Sequence, residues 1–266
     1  MPIVREINTR SIICRSRLPG IDFVLNPYRG CTHACAYCYV RNMPQFYEHN
    51  EQWGSFVDVK INAVQTLPRR LVFYHGKSLY LSSVTDPYQP IEKQYQLTRQ
   101  LLERLLPVQP ALSIQTKSSL VLRDLDLLRQ FQDINVGFTI ITTDEQLRQI
   151  LEPGADTIQA RIAALKTLKV NGFTTYIFIG PIMPYLTGWK EIIKATKAYT
   201  DYYYFDRLNT KGAIWQAIVA WLSRYYPRLL NNYGEIYRQG DRYWSTVGQA
   251  IRTFCQKESI SAQALF

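Results

Sequence analysis

The chain has 266 residues, 47% hydrophobic and 20% charged, and 31 Lys or Arg against 21 Asp or Glu give it a net charge of +10. This composition excludes a disordered chain. The length sets one large domain, or one domain with a small appendage, able to bury roughly three quarters of its unfolded surface. No apolar run approaches the ~20 residues that span a bilayer, and the N-terminus holds no apolar signal core, so the expected setting is the cytoplasm, with no membrane partner.

Short strand-like runs alternate with helix-period runs along the chain. Asp22–Leu25 reads as a strand ending at Asn26-Pro27. Phe56–Leu67 reads as a helix, because Phe56, Val59, Ala63, Val64 and Leu67 recur at three- and four-residue spacing. Ser78–Ser82 is a strand, Glu92–Leu106 a helix ended by Pro107, Leu112–Thr116 a strand and Arg123–Phe131 a helix. Val136–Thr142 is β-rich, and Glu145–Leu151 is helical up to Pro153-Gly154. Thr157–Val170 is a helix closed by Asn171-Gly172. Thr175–Ile179 is a strand, Trp189–Tyr199 a helix, Tyr202–Leu208 a strand and Gly212–Tyr225 a helix. Six strands, each followed by a helix, imply a parallel sheet with right-handed crossovers. Such units fit a partial barrel or an open doubly wound sheet, and in both the site lies at the carboxyl ends of the strands. Residues after Tyr226 show no clear unit.

One strand end stands out. Three of the five cysteines, Cys31, Cys35 and Cys38, fall within eight residues, directly after the first strand. Three thiolates on one short loop can hold three corners of a cubane iron–sulfur cluster, leaving the fourth iron open to a chelating substrate. The competing reading is structural zinc, with His33 or a distant residue as fourth ligand. Zinc sites usually pair C-x2-C with a second such pair, and none exists here. A disulfide does not suit a cytoplasmic chain.

The C-x3-C-x2-C spacing, with Tyr37 before the third cysteine, resembles the radical S-adenosylmethionine (SAM) superfamily. Asn26-Pro27-Tyr28-Arg29-Gly30-Cys31, Tyr37-Cys38-Tyr39, Thr85-Asp86-Pro87-Tyr88-Gln89-Pro90, Thr116-Lys117-Ser118 and Arg123-Asp124 look like its spore photoproduct lyase-like group. The resemblance covers about Asp22 to Asn209 and implies an α/β fold, a partial (β/α)6 barrel. Together with the element pattern it sets the barrel at residues 21–226, between an N-terminal segment, 1–20, and a small C-terminal extension, 227–266. It implies a [4Fe–4S] cluster on Cys31, Cys35 and Cys38, whose open iron binds SAM. An electron from an external donor then cleaves SAM, and the resulting 5′-deoxyadenosyl radical removes a substrate hydrogen.

The resemblance also suggests SAM contacts. Tyr37 packs near the adenine, and Tyr39 either touches SAM or packs the loop. The usual Gly-Gly-Glu is replaced by Ser82-Ser83-Val84-Thr85-Asp86, so Ser83 or Ser82 supplies a hydroxyl and Lys117 a partner for the carboxylate. Thr139 is a further hydroxyl contact or a core residue. Asp86 binds SAM or substrate, or caps the next helix. Arg161 reaches the methionyl carboxylate or forms a surface ion pair worth little.

Spore photoproduct lyase quenches its product radical with a cysteine after the second strand, where this chain has Ser82 and Ser83. The favoured substrate is therefore a ribosomal precursor peptide, handled as by the radical SAM spliceases, which excise a tyramine equivalent at a Tyr-Gly motif with a separate leader-binding partner. The alternatives are DNA-lesion repair or other nucleic-acid modification, which the positive charge suits, and a non-catalytic iron–sulfur or zinc protein.

Overall fold

The computed structural model describes residues 2–43 and 49–266. Six parallel strands make its frame, as the alternating pattern predicts. In chain order the strands and α-helices are β1 (Ile3–Ile7), β2 (Ile13–Arg15), β3 (Phe23–Leu25), β4 (Tyr28–Arg29), β5 (Phe56–Lys60), β6 (Ser78–Leu81), α1 (Glu92–Tyr95), α2 (Leu97–Leu105), β7 (Ala111–Thr116), α3 (Leu125–Leu128), β8 (Ile134–Thr139), α4 (Glu145–Leu151), α5 (Ile158–Val170), β9 (Thr174–Ile182), α6 (Trp189–Thr196), β10 (Tyr202–Arg207), α7 (Ala213–Tyr225), α8 (Leu230–Gln239), α9 (Asp241–Lys257) and β11 (Ala262–Ala264). Among the described residues the main sheet runs β11-β10-β9-β8-β7-β6-β3-β2, and β1, β5 and β4 form a second, small sheet. Within the main sheet β2 is antiparallel to β3 and the other pairings are parallel. This is the partial (β/α)6 barrel, with additional C-terminal helices.

The two faces of the sheet differ in chemistry. Leu79, Leu81, Leu112, Ile114, Ile177, Ile179, Tyr203 and Phe205 are buried under the helices, a mainly aliphatic surface of the kind parallel strands need. Their half-buried alternates Tyr80, Gln115, Tyr202 and Tyr204 point to the inside of the curve. There the Tyr80 hydroxyl donates to Gln115 Oε1 at 2.8 Å, and the Gln115 amide donates to Thr139 Oγ1 at 3.0 Å. Tyr176 and Tyr202 stack with ring centres 5.3 Å apart. Gly137 makes this possible, since a Cβ there would lie 2.3 Å from the Tyr176 ring.

Four expectations are corrected. Phe56–Leu67 is not a helix: Phe56–Lys60 is a strand that pairs in parallel with Ile3–Ile7 and antiparallel with β4, followed by turns. Phe56, Val57, Asp58 and Val59 are all buried, and β-branched Val57 and Val59 suit the pleat. Glu92–Leu106 is two α-helices, broken where Gln96 adopts φ 50°; the buried Glu92 carboxylate accepts the Thr98 N–H at 3.1 Å and so caps α2. Arg123–Phe131 contributes just one turn of α-helix, α3, after a 3-10 segment over Ser119–Asp124. Residues after Tyr226 form α8 and α9, and Ala262–Ala264 joins the sheet beside β10.

Candidate active site

The loop that follows β4 carries the three cysteines as free thiols, Cys35 buried and Cys31 and Cys38 half-buried. It is held from two sides by buried polar groups. Gln89, fully buried, accepts the Thr32 N–H at 3.0 Å through Oε1, while its amide donates to the Gly30 carbonyl at 3.2 Å. The Thr85 hydroxyl donates to the same carbonyl at 2.7 Å. On the other side, the Gly154 N–H donates to the His33 carbonyl at 3.1 Å, and the Ala36 N–H donates to the Leu151 carbonyl at 2.9 Å. The approach requires glycine: a Cβ on Gly154 would lie 2.0 Å from the Thr32 carbonyl oxygen.

His33 is an anchor of this loop. Its Nδ1 lies 2.9 Å from the Gly154 carbonyl and its Nε2 lies 3.1 Å from Asp86 Oδ2. Both nitrogens therefore face protein oxygens, which leaves none for zinc. Among the described residues no three His, Cys, Asp or Glu side chains gather as they would around one ion. A cubane cluster spreads its thiolate ligands over separate corners and makes no such demand.

Burial pushes the Cys31 thiol up, with Asp86 and Cys35 adding to the effect; it pushes Cys35 up to about 12 and also raises Cys38. Three crowded, desolvated thiols resist ionisation unless a cationic centre compensates them, so the donor set fits an iron–sulfur cluster.

Each residue proposed for SAM has a definite place. The Tyr37 hydroxyl donates to buried Glu152. Glu152 Oε2 pairs with Arg161 Nη1 at 2.6 Å, and both residues are fully buried. Arg161 also donates to the carbonyls of Asp156 and Thr139, each at 3.0 Å. The surface ion pair weighed for it is thus replaced by a buried one. Burial raises the Glu152 pKa, but Arg161 and Lys117 outweigh it, so the carboxyl is held below its ordinary value. The Lys117 ammonium lies 6.0 Å from the centre of the Tyr37 ring. Burial opposes its charge, and Cys35, Glu152 and Asp86 outweigh that and hold its pKa up.

Asp86 is occupied within the protein. Its Oδ1 accepts the Thr116 hydroxyl at 2.7 Å and the Tyr88 N–H at 2.9 Å, and its Oδ2 accepts the Lys117 N–H at 2.8 Å. Although burial raises its pKa, His33 and these donors prevail and hold it to about 2. It works as a staple between loops. The Tyr39 hydroxyl donates to the Ser83 carbonyl at 2.8 Å, tying the cysteine loop to the end of β6. Thr139 is buried, and its hydroxyl accepts the Gln115 amide.

Among the described residues, the buried polar atoms without a hydrogen-bond partner include Ser82 Oγ and Arg161 Nη2. Buried polar groups are nearly always satisfied, so a bound polar ligand suits both. The residues that sequence reasoning passed over are Gln89, Glu152 and Gly154. Gln89 lies inside the Thr85–Pro90 motif, and Glu152 and Gly154 flank Pro153, which reads as no more than a helix break.

Fold and site together define a curved parallel barrel whose reactive end carries a pinned cysteine triplet. The chain belongs to the radical SAM superfamily, whose model matches residues 25–196. It is 39% identical to an uncharacterized protein of Methanocaldococcus jannaschii over 94% of this chain and 96% of that one. A spore photoproduct lyase mutant shares the fold with a TM-score of 0.61 at 17% identity, over 84% of this chain and 66% of that one. Streptococcus suis SuiB, bound to its precursor peptide SuiA, matches with a TM-score of 0.54 at 14% identity, over 100% of this chain and 49% of that one. This chain thus spans just under two thirds of the lyase and half of SuiB. Family and fold imply capacity for a cluster and SAM.

Proposed function

We propose that this protein is a radical SAM enzyme that abstracts a hydrogen atom from a nucleic-acid substrate, with Cys31, Cys35 and Cys38 holding a [4Fe–4S] cluster. Bound there, the cluster and SAM supply a 5′-deoxyadenosyl radical, at the cost of one electron from an external donor. The chain's own residues orient and shield. Lys117 would offer its charge to the SAM carboxylate, Ser82 and Arg161 their unsatisfied donors, and Thr139 its hydroxyl. Tyr37, fixed by Glu152, supplies a flat wall beside the loop. The tyrosines inside the sheet exclude water from the radical's path.

The observation that carries the substrate class is the distribution of charge. Residues 207–257, which leave the mouth of the barrel at β10, hold eight Lys or Arg and two Asp or Glu, more than half of the net charge of +10. A basic segment interleaved with aromatic residues suits a nucleic-acid binder.

The precursor-peptide reading is the second one. It is favoured by the thiol-free end of β6, since Cys14 lies on β2 and Cys255 is buried on α9. A carbon–carbon cleavage that expels a fragment has no need of a thiol there. It brings with it a separate leader-binding partner.

The test is an anaerobic assay of the reduced protein with SAM. The expected result is that an oligonucleotide, ultraviolet-irradiated or intact, accelerates 5′-deoxyadenosine release and is itself changed. The change is read in mass for an intact strand and in the nucleosides released on digestion for an irradiated one, since dimer reversal leaves the mass unaltered. Acceleration by a Tyr-Gly precursor peptide alone, with or without a leader-binding partner, would replace this reading by the second.

A further inference from the structure

Beside the mouth lies a second concavity that the proposed chemistry does not use. It is a cleft of about 370 Å³ between the end of β10 and α7, α8 and α9. Arg207, Asn209, Lys211, Trp215, Tyr237 and Asp241 line it. Trp215 and Tyr237 stack with ring centres 4.9 Å apart and planes 14° apart. Tyr237 is 51% exposed, so its outer face is open to a further flat group. Arg207 is paired with Asp241, and the Tyr233 hydroxyl fastens α8 to the Pro184 carbonyl at 2.8 Å. The platform is thus backed by fixed structure. Helix α7, which carries Trp215, also packs on the Tyr39–Asn42 turn that follows Cys38.

We propose that this cleft binds one unpaired base of a single-stranded nucleic acid, stacked on Tyr237, with Lys211 meeting a flanking phosphate. The proposal rests on the nucleic-acid reading above and names the place where the strand is gripped outside the barrel. A partner helix would want an unbroken apolar stripe, and this cleft is rimmed with charge and has one exposed ring face. Exposed aromatics beside cations are what base stacking and phosphate contact require. Asp206 and Asp241 also line the cleft; Arg207 neutralises Asp241, and Asp206 lies inward, where burial raises its pKa.

The experiment measures fluorescence anisotropy of a labelled oligothymidylate and of an abasic strand of equal length, on the full chain and its variants. Tyr237→Ala is expected to weaken the oligothymidylate by about 5- to 150-fold, the worth of one stacked base. Tyr237→Phe should keep the affinity, and the abasic strand should bind wild type and Tyr237→Ala equally. Lys211→Gln should lower the slope of log affinity against log salt by about 0.7. Unchanged circular dichroism and SAM cleavage in Tyr237→Ala would show that the fold is intact. If Tyr237→Ala binds the oligothymidylate as tightly as wild type, the cleft assignment is overturned and the nucleic-acid reading stands. If wild type binds neither strand, that reading itself falls. A peptide bound in a Tyr237-dependent way, with no strand binding, reassigns the cleft to peptide.

Discussion

The two rims of the barrel mouth spend their polar residues in opposite ways. Around the cysteine loop, Gln89, His33, Asp86, Glu152 and Arg161 are buried and directed at one another or at backbone. Around the far rim, Arg207, Lys211 and Tyr237 are exposed. Positioning a cluster needs a loop that cannot relax, and buried hydrogen bonds and ion pairs enforce this because breaking one leaves a desolvated group alone. Gripping a polymer needs surface charge that water still screens and a strand can displace. One molecule therefore has a rigid, chemically committed rim and an open, adaptable one.

Substitutions on both rims and a pH titration probe this contrast, from the largest effect to the smallest. Cys31→Ala, Cys35→Ala or Cys38→Ala should each abolish SAM cleavage and reduce bound iron, as read by 5′-deoxyadenosine release and iron–sulfide analysis. Normal release from any single variant would remove the cluster assignment. Next, Glu152→Ala strands Arg161 in the interior and should cost about 3–5 kcal/mol in urea unfolding, whereas an equally conservative change at Asp241 on the open rim should cost well under ~1 kcal/mol. Gly154→Ala drives a methyl group into the Thr32 carbonyl and should cost at least about 2 kcal/mol, with impaired cluster assembly as its second readout.

Asp86 gives the pH test. Its folded pKa, about 2, lies below the ordinary carboxyl value of about 3.9. Its contribution is thus fully present above pH ~5 and is lost as the pH falls through ~2; it amounts to about 2–3 kcal/mol. In the cluster-free chain, Asp86→Asn should flatten the stability profile across that window, and an unchanged acid limb would return Asp86 to an ordinary surface carboxylate. The smallest effect is that of Lys117→Ala. It should weaken SAM binding about tenfold, the loss of one charge-assisted contact of about 1.4 kcal/mol, with the cluster absorption unchanged.

Much of the frame was legible because it depends on local pattern. The strands β6, β7, β9 and β10 carry dense apolar or aromatic runs with turn residues after them, and Thr157 and Asn171-Gly172 mark the two ends of α5 with their own side chains and backbone. The cysteine triplet was legible for the same reason, since its ligands share one loop. What escaped depends on distant partners. Phe56–Lys60 has helix-like spacing, and its strand character comes from Ile3–Ile7, which no local window contains. Ala262–Ala264 is too short to announce itself and is a strand because β10 offers an edge. Gln89 and Glu152 read as unremarkable polar residues until the fold brings them within hydrogen-bonding distance of residues 57 and 115 positions away.

The short strand β11 has a consequence for recognition. Parallel sheets with a bare margin invite a foreign extended segment to continue the ladder. Here β11 already occupies the β10 side, and Leu265 donates its N–H to the Phe205 carbonyl at 2.9 Å just beyond it. On the opposite side antiparallel β2 covers β3. A guest chain of any kind that sought to extend the sheet at β10 would first have to peel away Ala262–Ala264. The β10 margin is thereby closed to backbone zippering by a segment of the chain's own C-terminal part.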